Sequence, residues 1–226
     1  MVIVSTFVEW KQIKNVWTKM DIFWELAFQE KQAMWGFEPA DSAIFAKDFF
    51  LEKGIKNILI PGIGYGRNAK IFLENGIAVT GIEISETAIA LAQKAGLTVP
   101  VYHGSVTDMP FNDQHYGGIY CYALIHLLNE PERKKFISDC YNQLEDGGYM
   151  FFVTVSKKDP ICGRSRPLGN DTFETQAGVR LFFYDKNSIE QEFGQYGLME
   201  FWEIEEEMKF KENHPSMIFT LIKCRK

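Results

Sequence analysis

The stretch Asn57-Ile-Leu-Ile-Pro-Gly-Ile-Gly-Tyr-Gly-Arg-Asn-Ala69 leaves a chain few ways to fold. Ile58, Leu59 and Ile60 form a short apolar run with β-branched residues, ending at Pro61, the pattern of a buried parallel strand. Gly62, Gly64 and Gly66 then alternate with Ile63 and Tyr65, so the backbone can turn tightly and a ligand can approach without meeting a Cβ. Ala69, Phe72 and Leu73 fall on one face of the helix that follows, and Gly76 stands where a left-handed stop is expected. A strand, a glycine turn and a helix N-terminus make a nucleotide cradle, because backbone N–H groups point into the turn.

Which nucleotide depends on spacing. A dinucleotide fingerprint needs its third glycine at position 67, where this chain has Arg67. About twenty residues beyond the first glycine, Val79-Thr80-Gly81-Ile82-Glu83 reads as a second strand ending in an acid placed to accept ribose hydroxyls. The segments Ile60-Pro61-Gly62-Ile63-Gly64-Tyr65-Gly66 and Val79 through Ser85 resemble the first two motifs of class I S-adenosylmethionine-dependent methyltransferases. Pro61 before the first glycine is most similar to their thiopurine and thiol/halide branch, whereas Ile60 stands where many members carry an acid.

The resemblance implies an α/β fold: a doubly wound, Rossmann-like seven-stranded sheet of order 3-2-1-4-5-7-6, strand 7 antiparallel, with an N-terminal helical cover. It implies S-adenosyl-L-methionine as cofactor and S-adenosyl-L-homocysteine as product. The cofactor residues it points to are Gly62, Ile63, Gly64 and Gly66 in the turn, Glu83 and Ile84 after the second strand, and Ser105, Val106 and Asp108 in a third loop. Asp108 replaces the acid that often follows the glycine of that loop, where this chain has Ser105. Tyr122 ends a fourth strand, Gly117–Tyr122, at the topological switch point where open α/β sheets bind ligands. Trp24 and Trp35 suit a cationic sulfonium, Trp24 on the cofactor side and Trp35 on the substrate side.

The remaining segments read in order. Trp10, Ile13, Trp17, Met20, Trp24 and Phe28 recur at helical steps, with Asp21 a possible cap, and Trp35-Gly36-Phe37-Glu38-Pro39 breaks the pattern. Residues 1–53 are thus expected to form the helical cover, its last helix capped by Asp41 and running through Leu51 to Gly54. Ser85 is an N-cap for a helix with Ala88, Ile89, Leu91, Ala92 and Ala95 inward and Gly96 as stop, before a third strand over Val99–His103. Pro131 opens a helix burying Phe136, Ile137, Cys140, Tyr141 and Leu144, stopped by Gly147-Gly148, and Tyr149–Val155 is the fifth strand. Residues 156–184 lack a period and read as a substrate lid, in which Arg164 and Arg166 would meet a carboxylate or phosphate. A helix over Ser188–Tyr196, stopped by Gly197, precedes Leu198–Glu205 and Ser216–Cys224, two strands with no helix between them and so antiparallel. The acidic run Glu203–Glu207 reads as a solvated face.

Methyl transfer to a thiolate or halide needs no base, whereas a hydroxyl or ammonium acceptor needs a proton acceptor, for which Tyr122, His126 and Asp159 are the candidates. A nicotinamide-dependent (NAD or NADP) oxidoreductase is the alternative enzyme, opposed by Arg67 and the terminal hairpin; a non-catalytic S-adenosylmethionine-binding module is the other. At 226 residues and 46% hydrophobic content, one domain spanning 1–226 can bury a full core. The net charge of −6 disfavours a nucleic-acid partner, leaving a small-molecule methyl acceptor. The scattered Cys121, Cys140, Cys162 and Cys224 give no metal spacing and read as reduced thiols, three of them core. No apolar run is long enough for a bilayer and Met1-Val-Ile-Val-Ser-Thr lacks a leader pattern, so no membrane contact is expected, and a cytoplasmic monomer or homodimer is.

Overall fold

Ile58, Leu59 and Ile60 are buried, as a strand covered on both faces requires. In the computed structural model they lie in β1 (Asn57–Pro61), which pairs in parallel with β2 (Ala78–Glu83) on one side and β4 (Tyr116–Tyr122) on the other. The structure describes residues 19–207, 209 and 216–226; Trp10, Ile13 and Trp17 lie outside them. The short β3 (Val101–His103) extends the sheet beyond β2, and β5 (Leu144–Val155) extends it beyond β4. The closing strands β9 (Leu198–Glu206) and β10 (Met217–Arg225) pair antiparallel, and β10 pairs antiparallel with β5. The sheet order is therefore β3-β2-β1-β4-β5-β10-β9, which is 3-2-1-4-5-7-6 when only its own strands are counted.

Alternation along β5 divides the core. Phe151, Val153 and Val155 join Phe50 and Phe72 on one face, and Met150 and Phe152 join Phe136, Ile137 and Phe193 on the other. The first face is covered by α2 (Asp41–Glu52) and α3 (Ala69–Glu74), the second by α5 (Glu130–Asn142) and α7 (Lys186–Phe193). Between them in sequence, α4 (Glu86–Lys94) packs beside α1 (Lys19–Lys31). Gly118 is explained here: a Cβ would sit 2.9 Å from the Phe50 ring. All four cysteines are buried free thiols.

Several local expectations change. Helix α1 is already helical at Lys19, so Asp21 lies inside it and is not its cap. Ala40, not Asp41, is the N-cap of α2, and the helix borrows its acceptors from Glu206, whose carboxylate takes the N–H groups of Asp41 and Ser42 at 3.0 Å each. The run Glu203–Glu207 is thus not simply a solvated face, since Glu206 is 2% exposed. Of the segment expected to form the cover, α2 is part of the core layer through Ala43, Ala46 and Phe50. Ala95 is exposed, because α4 ends before it. Gly147 and Gly148 do not stop a helix; α5 ends at Asn142, and the glycines sit inside β5 where its register with β4 shifts. Residues 156–184 are structured: α6 (Pro160–Arg164) leads into a small antiparallel sheet of β6 (Arg166–Gly169), β7 (Thr172–Glu174) and β8 (Arg180–Phe182). Strands of three or four residues are too short to register as a period.

A buried ion pair joins the second face to the end of β8. Arg133 of α5 meets Glu192 of α7 with Nη2 to Oε1 at 2.7 Å, Tyr184 donates to the same carboxylate at 2.6 Å, and the guanidinium stacks 3.7 Å from the Phe182 ring. Removing one partner strands the other charge away from water. Arg133→Leu should destabilise the protein by about 3–5 kcal/mol in urea unfolding, and adding Glu192→Leu should recover most of that loss.

Candidate active site

A cavity of about 750 Å³ opens at the C-terminal ends of β1, β2 and β4, the crevice where strand order reverses. Gly62, Ile63, Gly64, Glu83, Ile84, Ser105 and Val106 line one half, and Trp24, Phe28 and Trp35 line its covered side. The other half is largely apolar, with Val155, Ile161, Val179, Leu181, Met217 and Phe219, interrupted by Tyr122, Arg164 and Glu206. Such a volume is typical of a small-molecule site.

The glycine turn is not an open nest of N–H groups. Gly62 and Ile63 both donate to the Ile82 carbonyl (2.8 and 3.0 Å), Gly66 donates to Ile63, and Gly64 donates to the Glu83 carboxylate at 2.8 Å. Glu83 also accepts from Ile84 and Ser85 at 2.9 Å each. Burial pushes this carboxyl up, and the three backbone N–H groups pull it back down. One acceptor site remains, on Oε2, since an ionised carboxylate offers about four sites and three are used, two of them on Oε1. Gly64 is left-handed at φ 58°, and a Cβ there would find only Phe28 at 4.0 Å, so the turn lies open on its cavity side. A pyrophosphate needs free N–H groups and no neighbouring anion; here the four N–H groups are occupied and an acid stands beside them.

The aromatic cover is fastened by polar contacts at both ends. Glu25 of α1 accepts from Ser85 Oγ at 2.6 Å and from the Thr87 N–H at 3.3 Å, bringing an acid to an N-terminus that Ser85 itself caps. Burial works against its ionisation, but these hydrogen bonds outweigh it and hold the carboxyl below its ordinary value. At the other end Tyr65 donates to the Gly36 carbonyl (2.7 Å) and accepts from the Trp35 N–H (3.0 Å), while its ring stacks on Trp35 at 6.3 Å. Trp24 lies 6.0 Å from Trp35, so both predicted tryptophans share one wall.

Residues 59–152 match the family model described as a methyltransferase domain. A protein of Geobacillus sp. (strain WCH70) named as a candidate methyltransferase is 30% identical over 126 residues, covering 53% of this chain and 51% of its own. The ubiquinone biosynthesis O-methyltransferase of Pseudomonas savastanoi pv. phaseolicola is 27% identical over 107 residues, covering 45% of each chain. The chain thus spans about half the length of these relatives. Among solved structures, Burkholderia thailandensis 1,6-didemethyltoxoflavin-N1-methyltransferase, with bound 1,6-didemethyltoxoflavin and S-adenosylhomocysteine, superposes with a TM-score of 0.69 at 14% identity over 92% of this chain and 87% of its own. This is the fold of S-adenosylmethionine-dependent methyltransferases. A methyltransferase-fold protein of Clostridium acetobutylicum agrees, with a TM-score of 0.63 at 14% identity over 80% of this chain and 90% of its own.

Within this methyltransferase fold the candidate residues divide. Gly62, Ile63, Gly64, Glu83, Ile84, Ser105, Val106, Tyr122, His126, Trp24, Trp35 and Arg164 all line the cavity. Gly66 does not; a Cβ there would strike Leu97 at 2.6 Å, so its smallness serves packing. Asp108 is exposed and off the cavity wall, because Ser105 caps the single 3-10 turn Val106–Asp108 and turns the acid outward. Asp159 is spent on structure: its two oxygens accept from Ile161 and Ile218 at 2.7 Å each, and it does not line the cavity. Arg166 is paired across the small sheet with Glu174 and also lies off the wall. Sequence reasoning missed Phe28, Arg67, the Thr175–Ala177 turn and Glu206. Arg67 donates to the Trp35 carbonyl and lies 5.3 Å over the Tyr122 ring; its place straight after the glycines was the available signal. Glu206 had none, being one acid in a run. Among the described residues no group of three or more His, Cys, Asp or Glu side chains is placed to hold a metal, and no helix is long and apolar enough to cross a membrane.

Two of the proposed bases are unsuited to the role. Burial, and after it the field of Glu206, push the Tyr122 hydroxyl up to about 12. His126 Nδ1 accepts the Val155 N–H at 3.3 Å and lies 3.2 Å from Thr154 Oγ1, so the neutral ring carries its proton on Nε2, and burial lowers its pKa to about 3. Below pH 6.5 an unfolded chain protonates this ring while the folded one does not, so its contribution is full above pH 6.5 and lost as pH falls toward 3. Between pH 6.5 and pH 5 the wild type should lose about 1 kcal/mol per pH unit more stability than His126→Gln, measured by urea unfolding at each pH.

Proposed function

We propose that this chain is an S-adenosyl-L-methionine-dependent methyltransferase acting on a small-molecule acceptor by in-line displacement. The observation that carries the reading is the Glu83 carboxylate beside a glycine turn in which the N–H groups of Gly62, Ile63, Gly64 and Gly66 are already occupied, an acceptor suited to ribose hydroxyls and unsuited to a pyrophosphate. When bound, the sulfonium supplies an activated methyl group and its own leaving group. Glu83 would accept the ribose hydroxyls, Ile84 would flank the adenosine, and Ser105 and Val106 would face the adenine. Gly62, Ile63 and Gly64 would bring backbone close to the methionine portion, and the Trp24–Trp35 wall offers π faces to positive charge.

The protein's own contribution is alignment and exclusion of water, and alignment alone is worth roughly 7–11 kcal/mol of barrier. Residues 156–184 act as the acceptor's cover in a single domain, with the Thr175–Ala177 turn, Val179 and Leu181 as its inner surface. Arg164 stands on the cavity lining without an ion-pair partner among the described residues, and would hold an anionic group at the acceptor's far end. The finer resemblance to the thiopurine and thiol/halide branch rests on Pro61 before Gly62, a residue of the glycine turn that bears on the cofactor and leaves the acceptor atom open.

Calorimetric titration tests the reading. S-adenosylhomocysteine should bind with a roughly micromolar Kd. Glu83→Gln should weaken it about tenfold or more, the loss of a charge-assisted hydrogen bond, and NAD and NADP should give no heat. Binding of a dinucleotide instead would overturn the proposal.

A further inference from the structure

Glu206 is an unusual group to find on the apolar half of the cavity. It is 2% exposed, it lines the cavity, and among the described residues no Lys, Arg or His forms an ion pair with it. Its only hydrogen bonds there are those from the Asp41 and Ser42 N–H groups, at 3.0 Å each, one to each oxygen. Those bonds fix the plane of the carboxylate and leave about two of its acceptor sites unused among the described residues. A buried charge is ordinarily paired or fully hydrogen-bonded, so a half-satisfied carboxylate on a cavity wall marks a place where a ligand completes the set. Its neighbours define the ligand's shape. Met217 faces it across the β9–β10 ladder, Phe219 lies 5.7 Å from Tyr122, and Ile161, Val179 and Leu181 close the wall.

We propose that Glu206 receives an N–H group of the methyl acceptor, and that the acceptor is a flat apolar ring in which this N–H is conjugated with the unprotonated nitrogen that is methylated. The inference rests on the methyltransferase reading above and deepens it. A fixed carboxylate repels a thiolate, halide, phenolate or carboxylate at the same place, whereas it accepts a hydrogen bond from N–H. The charge flow also favours nitrogen. The lone pair of the conjugated, unprotonated nitrogen forms the new N–C bond as the C–S bond breaks and the sulfur keeps the electron pair, so positive charge spreads onto the N–H beside the carboxylate. The proton then passes from nitrogen to Glu206 and on to water, which leaves a neutral methylated amine or heterocycle and balances the step. A weakly basic ring nitrogen suits this best, because it is uncharged before attack and acidic after it.

The test uses the full chain saturated with S-adenosylhomocysteine, with benzimidazole and 1-methylbenzimidazole as matched ring probes with and without an N–H. Calorimetry should show benzimidazole binding at least tenfold more tightly, and E206Q should shrink that preference below threefold while S-adenosylhomocysteine affinity stays within twofold of wild type. Equal binding of the two rings by wild type, or binding of neither, overturns the assignment; this comparison stands even where E206Q does not fold. A large loss of S-adenosylhomocysteine affinity in E206Q overturns it too, since Glu206 would then serve the cofactor. Failure of wild type to bind S-adenosylhomocysteine removes the methyltransferase reading itself, an outcome distinct from intact cofactor binding with no N–H preference.

Discussion

The carboxylate of Glu83 is the contact on which the rest of the site depends. It joins the end of β2 to the glycine turn after β1 through Gly64, and it holds the start of the next turn through Ile84 and Ser85. Two adjacent parallel strands would align without it, because their ladder runs from Asn57 and Ala78 to Pro61 and Ile82. The loops beyond the strands would not, since a glycine turn carries little conformational preference of its own. One side chain thereby converts a flexible turn into a fixed wall, and does so with an acid that keeps an acceptor site on Oε2 and lines the cavity.

The same device recurs around the cavity. Helix α4 receives Glu25 from α1, and helix α2 receives Glu206 from β9, so two helices that frame the site have N-terminal N–H groups satisfied by acids distant in sequence. A local cap stabilises a helix wherever the helix goes, whereas a remote cap also dictates where its N-terminus sits. Glu25 thus holds the aromatic cover against the glycine-loop half, and Glu206 ties the outermost strand to α2. The cover and the sheet edge are located by charge placed on helix ends more than by apolar area, which fits the modest burial of α1 beyond Ala27 and Phe28.

This distinction also explains what was legible in the sequence. Ser85 and Pro131 act within a few residues of themselves, so the chain order displays them and the structure repeats them. The central strands were legible because β-branched runs between glycines admit one reading, and the terminal hairpin because no helix intervenes. Asp41 read as a cap for the same local reason, but the acceptors come from a residue 165 positions away, which no window along the chain contains. Asp108 and Asp159 likewise have the right chemistry in the right loops; what removed them from the cavity was the direction of a single turn and the demand of two backbone N–H groups. Residue type and spacing locate a site's frame, whereas side-chain direction is decided by hydrogen bonds that form only after the frame exists.

The groups that line the cavity show a consistent electrostatic plan. His126 is kept neutral by burial, Tyr122 is kept protonated, and the wall between them is apolar, so little there titrates near neutral pH. The buried acids Glu83 and Glu206 occupy opposite halves, each oriented by backbone N–H groups rather than by a cation. Such an arrangement holds two negative fields fixed while the space between them stays constant in charge, and fixed dipoles and charges need no reorganisation when a reaction shifts positive charge from one half to the other. Orienting the acids with N–H groups matters for that purpose: an Arg or Lys partner would cancel the field, whereas a backbone N–H fixes the carboxylate and leaves its charge available to the ligand.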